Sequence, residues 1–260
     1  MKKKMVALTT AVAAFSGSAF AADLPARTYT KAPVVEAPLS WTGLYLFGGA
    51  GGGVWNSDIN AVTNPGGVPL RAIQQMGGHG WFGTVGAGYD LQFNGSWVVG
   101  IFADGQFGSL RGSINDNFVG LTGSEKLRDT WAVGARLGYL VAPNVYSYVN
   151  AGYTQSGWSG SQLGATTGGA AVATTPSFNR QGWFVGGGFE NNLNLFGVSP
   201  PGWFMKTEYR AAYFDEATLP ESLIGRSVPT GISDTFKPFV QTISGALVYR
   251  FNWAGPVIAK

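Results

Sequence analysis

Eight ionisable side chains carry whatever chemistry this chain can do: Asp90, Asp104, Glu190 and Glu208, and against them Arg136, Lys206, Arg210 and Arg250. Three of them alternate in Gly202-Trp203-Phe204-Met205-Lys206-Thr207-Glu208-Tyr209-Arg210. On a strand Lys206, Glu208 and Arg210 share one face, opposite Trp203, Met205, Thr207 and Tyr209, whereas a helix would scatter them. Carboxylates gathered in a cavity are material for acid–base catalysis. The other parts of such a site are missing: the single histidine, His79, stands among glycines and reads as a loop or headgroup-level residue, and no Ser-His-Asp set is available. Four carboxylates against four cations read instead as a mutually neutralising network in a narrow interior. No catalytic residue is assigned, and the chain reads as a non-enzyme.

Other chemistries drop out on residue type. With no cysteine there is no disulfide and no thiolate metal site, so neither a metal nor a cofactor is expected. Gly48, Gly49, Gly51, Gly52 and Gly53 suggest a phosphate loop, but the Gly-x-Gly-x-x-Gly spacing fails and no Lys-Ser/Thr follows. The pI of about 9.1 is inflated by the N-terminus. There Lys2, Lys3 and Lys4, an apolar run from Met5 to Phe15 and Ala19-Phe20-Ala21 read as an export signal over residues 1–21. Taking its three lysines from the 17 basic residues leaves 14 against 14 acidic ones, so no nucleic-acid partner is implied.

The charged face must be positioned by strands, because no later stretch offers the ~20 apolar residues of a membrane-crossing helix. Residues 22–40, with Pro25, Pro33 and Pro38, read as an extended periplasmic tether. Strand patterns then follow at 41–55, 80–93, 97–110, 126–141, 145–158, 180–193, 203–214 and 235–253. In the second, Trp81, Val85, Ala87, Tyr89, Leu91 and Phe93 oppose Asp90 and Gln92; in the third, Trp97, Val99, Ile101, Ala103 and Phe107 oppose Asp104 and Gln106. The fourth sets Leu137 and Tyr139 against Arg136, the sixth Val185 and Phe189 against Glu190, and the last Tyr249 and Phe251 against Arg250. The first strand is ambiguous, with Leu44, Leu46, Ala50 and Val54 favoured for the outer face. Inward glycines such as Gly86, Gly88, Gly134, Gly138, Gly186 and Gly188 leave room for water beside the charges.

Long connections at 56–78, 111–125, 159–179 and 215–234 alternate with short ones, among them Asn94-Gly95, whose residues suit a primed hairpin turn. Eight strands with that alternation predict an all-β, antiparallel up-and-down transmembrane barrel over residues 41–253 with long extracellular loops, followed by a tail at 254–260. The nine tryptophans fall at strand ends: Trp41, Trp97, Trp203 and Trp253 at one side, and Trp55, Trp81, Trp131, Trp158 and Trp183 at the other. They read as two aromatic girdles at the headgroups. Trp41 and Trp55 are fourteen steps apart, roughly 45 Å of strand and enough for a ~25 Å apolar band at ~40° tilt.

Several segments carry a family resemblance: Ala22-Asp23-Leu24-Pro25, Trp41-Thr42-Gly43-Leu44-Tyr45, Arg136-Leu137-Gly138-Tyr139, Gly186 to Glu190, Lys206-Thr207-Glu208-Tyr209-Arg210 and Leu247-Val248-Tyr249-Arg250-Phe251. Over nearly the whole chain beyond the export signal it resembles the small alphaproteobacterial outer-membrane immunogenic proteins, a porin-named group with an OmpA/OmpX-type eight-stranded barrel. The resemblance implies outer-membrane location and surface antigenicity. Its partners would be outer-membrane lipid and lipopolysaccharide, the outer-membrane assembly machinery and, through the loops, a host or surface partner. The leading functional reading is a structural, surface-exposed barrel whose lumen is largely filled by the charge network; the alternative is a small-solute porin or narrow channel. Eight strands leave an interior just wide enough for side chains, which favours the first. A soluble, lipocalin-like barrel would need apolar residues inside, the inverse of the pattern here.

Overall fold

The computed structural model describes residues 40–251 apart from 117–119, 166–168, 195 and 226–227. The expected export signal, all of the expected tether but Ser40, the expected tail and Trp253 lie outside the described residues. Eleven strands follow in order: β1 (Gly43–Thr63), β2 (Gln74–Phe93), β3 (Trp97–Asp116), β4 (Leu121–Ala142), β5 (Val145–Trp158), β6 (Gln162–Gly164), β7 (Ala171–Thr174), β8 (Phe178–Asn192), β9 (Trp203–Phe214), β10 (Ala217–Leu223) and β11 (Pro229–Phe251). Eight of them, in the order β1-β2-β3-β4-β5-β8-β9-β11, form an antiparallel ring that closes where β11 pairs with β1 from Leu44–Phe251 to Thr63–Ile232. Asn94 and Gly95 turn β2 into β3 with φ of 48° and 76°, the left-handed pair a primed turn requires.

The long connections are shorter than their composition suggests. β1 and β2 stay paired as far as Ile59–Gln74, and β3 and β4 as far as Asp116–Leu121. At the same end β6 pairs with β4 and β7, β7 with β10, and β10 with β11. A second closed ring, β1-β2-β3-β4-β6-β7-β10-β11, therefore stands on the first. It forms because β5, β8 and β9 break at one level, at residues 159–161, 175–177 and 215–216, and their continuations pair again beyond it. Pro238, which has no N–H for a ladder, sits in β11 where β9 gives way to β10. Glycine, proline and polar residues at these positions lower intrinsic strand propensity, but pairing and burial of alternate side chains override it.

In the first ring the outer face is apolar: Val85, Ile101, Val133, Leu137, Val149, Val185, Ile243 and Leu247 are all exposed. Leu44, Leu46 and Val54 are exposed too, while Tyr45 and Phe47 are buried, which settles the faces of β1. Aromatic side chains pair at two levels on the outer wall. Trp97 lies 5.3 Å from Tyr139 and Trp203 5.2 Å from Tyr249 at the turn end; Trp131 lies 5.4 Å from Tyr153 and Trp183 4.5 Å from Tyr213 towards the loop end. Trp97 at the start of β3 and Phe107 ten residues on, both exposed, are roughly 33 Å apart along the strand and ~25 Å along a barrel axis tilted ~40°.

Candidate functional site

Strand alternation delivers all eight charged side chains to the lumen, where each is almost fully buried. Near the turn end Asp90 on β2, Arg136 on β4, Glu190 on β8 and Arg250 on β11 form a closed cycle. Arg136 donates to both oxygens of Asp90, through Nε at 3.0 Å and Nη2 at 2.5 Å, and through Nη1 to Glu190 Oε2 at 3.4 Å. Arg250 completes it, donating from Nε to Glu190 Oε1 at 2.7 Å and from Nη1 to Asp90 Oδ2 at 2.8 Å. Each carboxylate meets two guanidinium groups, so no charge in the cycle is left uncompensated; forked Arg–carboxylate geometry is the strongest form of such contact.

The second cluster lies further along the same strands. Arg210 donates to both oxygens of Asp104, at 3.0 and 2.6 Å, and from Nη2 to Glu208 Oε1 at 2.8 Å. Lys206 Nζ is 3.5 Å from Glu208 Oε2, which also accepts the Tyr148 hydroxyl at 2.8 Å and Asn150 Nδ2 at 3.0 Å. The Tyr148 ring lies 5.1 Å from the Arg136 guanidinium and so joins the two clusters.

Aromatic rings pack between these charges and the wall. Arg136 sits 4.2 Å from the Tyr45 ring, Arg250 4.5 Å from Trp41, Lys206 3.5 Å from Phe47 and Arg210 4.4 Å from Phe184. The inward glycines make this possible. A Cβ at Gly88 would stand 2.3 Å from the Tyr45 hydroxyl, and one at Gly138 2.6 Å from the Tyr146 ring. Phe47, Phe184, Tyr148 and Asn150 likewise occupy the space over Gly86, Gly134, Gly188 and Gly186. The room expected for water at these glycines is taken by side chains from neighbouring strands.

Three tryptophans expected in the girdles point into the barrel instead: Trp41 is 1%, Trp55 2% and Trp158 0% exposed. Trp41 closes the turn end, its backbone oxygen accepting Arg250 Nη1 at 3.3 Å and its ring packed on Tyr146 and Phe204. Trp55 and Trp158 meet edge to face at 5.3 Å towards the loop end, with Phe236 at 5.7 and 5.0 Å and Phe178 stacked on Trp158 at 6.0 Å. Ile59, Ile114, Leu127, Leu163, Ala217 and Leu219 complete an apolar plug. The physical reason is parity. Trp41 and Trp55 share the face of Tyr45 and Phe47, and Trp158 that of Tyr148 and Asn150. Position at a strand end does not fix the face on which an indole lies. Trp81, Trp97, Trp131, Trp183 and Trp203 are exposed on the outer wall.

Between the charges and the plug lies a cavity of about 10 Å³ lined by Phe82, Gln106, Leu110, Leu127, Thr130 and Thr242, room for roughly one water molecule. Beside the plug Glu125 is fully buried where β5 breaks. Its carboxylate accepts the N–H groups of Lys126 and Gly160 at 3.1 and 3.0 Å and the hydroxyls of Ser159 and Ser161 at 3.2 and 3.0 Å. Burial pushes this carboxyl above its usual range, and those hydrogen bonds oppose the shift. No sequence motif marks it; only its inward parity with Leu127 does.

No family model matches the chain. It is 30% identical over 213 residues to the 31 kDa outer-membrane immunogenic protein of Brucella melitensis biotype 1, covering 79% of this chain and 85% of the relative. The protein of that description in Brucella suis biovar 1 aligns with the same identity and coverage. Among solved structures, the outer-membrane protein OprG from Pseudomonas aeruginosa aligns with 81% of this chain and 97% of its own, at a TM-score of 0.50 and 10% identity, a likeness of fold alone.

Proposed function

The chain belongs to the family of outer-membrane immunogenic proteins and is an integral β-barrel of the outer membrane with a surface role, and from that premise we propose that it is a closed barrel presenting its loop end to the cell exterior as a contact surface. The observation that carries this is the double filling of the lumen. A cycle of ion pairs occupies the turn end and an aromatic plug the loop end, with a second cluster of charges between. A narrow channel for small solutes needs a continuous polar path, whereas the plug places Trp55, Trp158 and Phe236 across the axis. The four carboxylates of the lumen network, Asp90, Asp104, Glu190 and Glu208, act here as ion-pair partners rather than proton carriers, since each already accepts from at least one cation.

In the same reading residues 1–21 direct export and are removed, residues 22–40 tether the barrel on the periplasmic side, and the assembly machinery inserts it. The loop rim, including β6, β7 and β10, is then the part a host or surface partner meets. Planar-bilayer recording of the refolded full chain beyond the export signal tests the proposal. The expected result is no steady current. Stable, ion-selective current from the unmodified protein would replace this reading with a channel.

A further inference from the structure

Basic side chains gather on one sector of the outer wall, just beyond the loop-end aromatic level. His79 on β2 is in register with Arg111 on β3, and Arg111 with Lys126 on β4; Arg128 follows on β4. His79, Arg111 and Arg128 are exposed and Lys126 half-buried. Neighbouring strands are ~4.8 Å apart, so the row spans about 10 Å. None of the four makes an ion pair with a described residue. Arg111 donates from Nε to Ser109 Oγ at 3.0 Å, which steadies its stem and leaves both terminal nitrogens open. Asp129 is the acidic residue on the same strand face, against Gly157. Around the barrel the balance reverses: Asp215 and Glu216, both exposed, stand at the break between β9 and β10, with Lys237 on β11. Charge at this level is therefore segregated by sector.

The row has a membrane address. Trp81, two residues beyond His79 on the way into the band, is 79% exposed, and Trp131 is exposed on β4; exposed indoles mark the headgroup level. Below them the wall is Val85, Ile101 and Val133, a surface for acyl chains. We propose that His79, Arg111, Lys126 and Arg128 form a binding site for the phosphorylated headgroup of an outer-leaflet lipid. Guanidinium forks grip phosphate oxygens in pairs, the row reaches two phosphates on one headgroup, and the acyl chains of that lipid lie on the apolar wall beneath. The site depends on the loop end facing outwards, but not on whether the lumen conducts.

The test uses the refolded barrel in uncharged detergent, with diphosphoryl lipid A as probe, inorganic phosphate as comparison and the midpoint of thermal unfolding as readout. Lipid A should raise the midpoint saturably, and inorganic phosphate at equal concentration should not. In the variant carrying R111Q, K126Q and R128Q binding should weaken by about tenfold or more, while K237Q on the opposite sector should bind as the unmodified protein does. Equal binding by the triple variant overturns the proposal. So does an equal shift with inorganic phosphate, which would make the row a soluble-anion site. Should the triple variant fail to refold, salt titration of the unmodified protein decides: binding through phosphate weakens as salt rises, and salt-independent binding overturns the site. A bilayer current would refute the closed lumen and leave this result standing.

Discussion

Along one barrel the two ends of the lumen are sealed by opposite chemistry. Within the aromatic levels the inner face carries Asp90, Arg136, Glu190, Arg250, Asp104, Lys206, Glu208 and Arg210, and the outer face is apolar. Beyond the loop-end level the faces exchange character. Trp55, Ile59, Ile114, Leu127, Leu219 and Phe236 turn inwards, and Asn56, Asp58, Gln75, Arg111, Ser113 and Lys237 turn out. The solvent outside the wall explains the inversion. Where the wall meets hydrocarbon, apolar side chains belong outside, and a filled lumen can hold charges only if they neutralise one another. Where it meets water, the strands obey the rule of a soluble barrel and bury their apolar side chains. The lipocalin-like pattern that fails for the chain as a whole holds for the apolar plug of its second ring, beside which Glu125, Glu221 and Asp234 are buried as well.

The largest expected effect breaks the charged half. Arg136→Gln leaves Asp90 and Glu190 each short of a partner and should cost about 3–5 kcal/mol of stability against thermal unfolding in detergent, whereas Asp215→Asn at the exposed break should change it by less than about 0.5 kcal/mol. Similar losses for the two would show that the cycle contributes nothing special. Next comes the outer wall. Ile101→Arg, on the outer wall midway between the aromatic levels, should impair insertion by about 2–4 kcal/mol, and Ser113→Arg, outward on the second ring, by about zero. Equal tolerance, read as the fraction folded after refolding into vesicles, would remove the boundary between the two regimes.

The smallest effect concerns Glu125, a buried carboxylate beside the apolar plug whose hydrogen-bond donors are backbone N–H groups and hydroxyls. Its folded pKa is raised by burial, so the folded state holds this proton more tightly than the unfolded one. The stability it contributes is complete below the ordinary carboxylate range and declines as pH rises through the raised value. Glu125→Gln should therefore match the unmodified protein in acid and gain on it towards neutral pH, by about 2–4 °C in midpoint for roughly 1 kcal/mol. A gap independent of pH would mean that the four donors compensate the buried charge in full.

Fold class was open to reading because its signals are local. Period-two alternation marks β2, β3, β4, β5, β8, β9 and β11, Asn94-Gly95 marks a hairpin, and apolar residues facing away from Asp104 or Arg136 tell lipid from lumen. The sequence by itself thus determined an outer-membrane barrel of eight strands and the face on which each charge lies. Tertiary structure alone decided three further things. Partner choice among the charges, with Arg250 bridging Asp90 and Glu190 from 160 and 60 residues away, depends on register around a closed ring. The second ring depends on three strands breaking at one level and pairing again, which no single stretch of 159–179 or 215–234 encodes. The inward turn of Trp55 and Trp158 follows from where the hydrocarbon ends: the same alternation places an indole at a girdle or in a plug, according to the solvent on the far side of the wall.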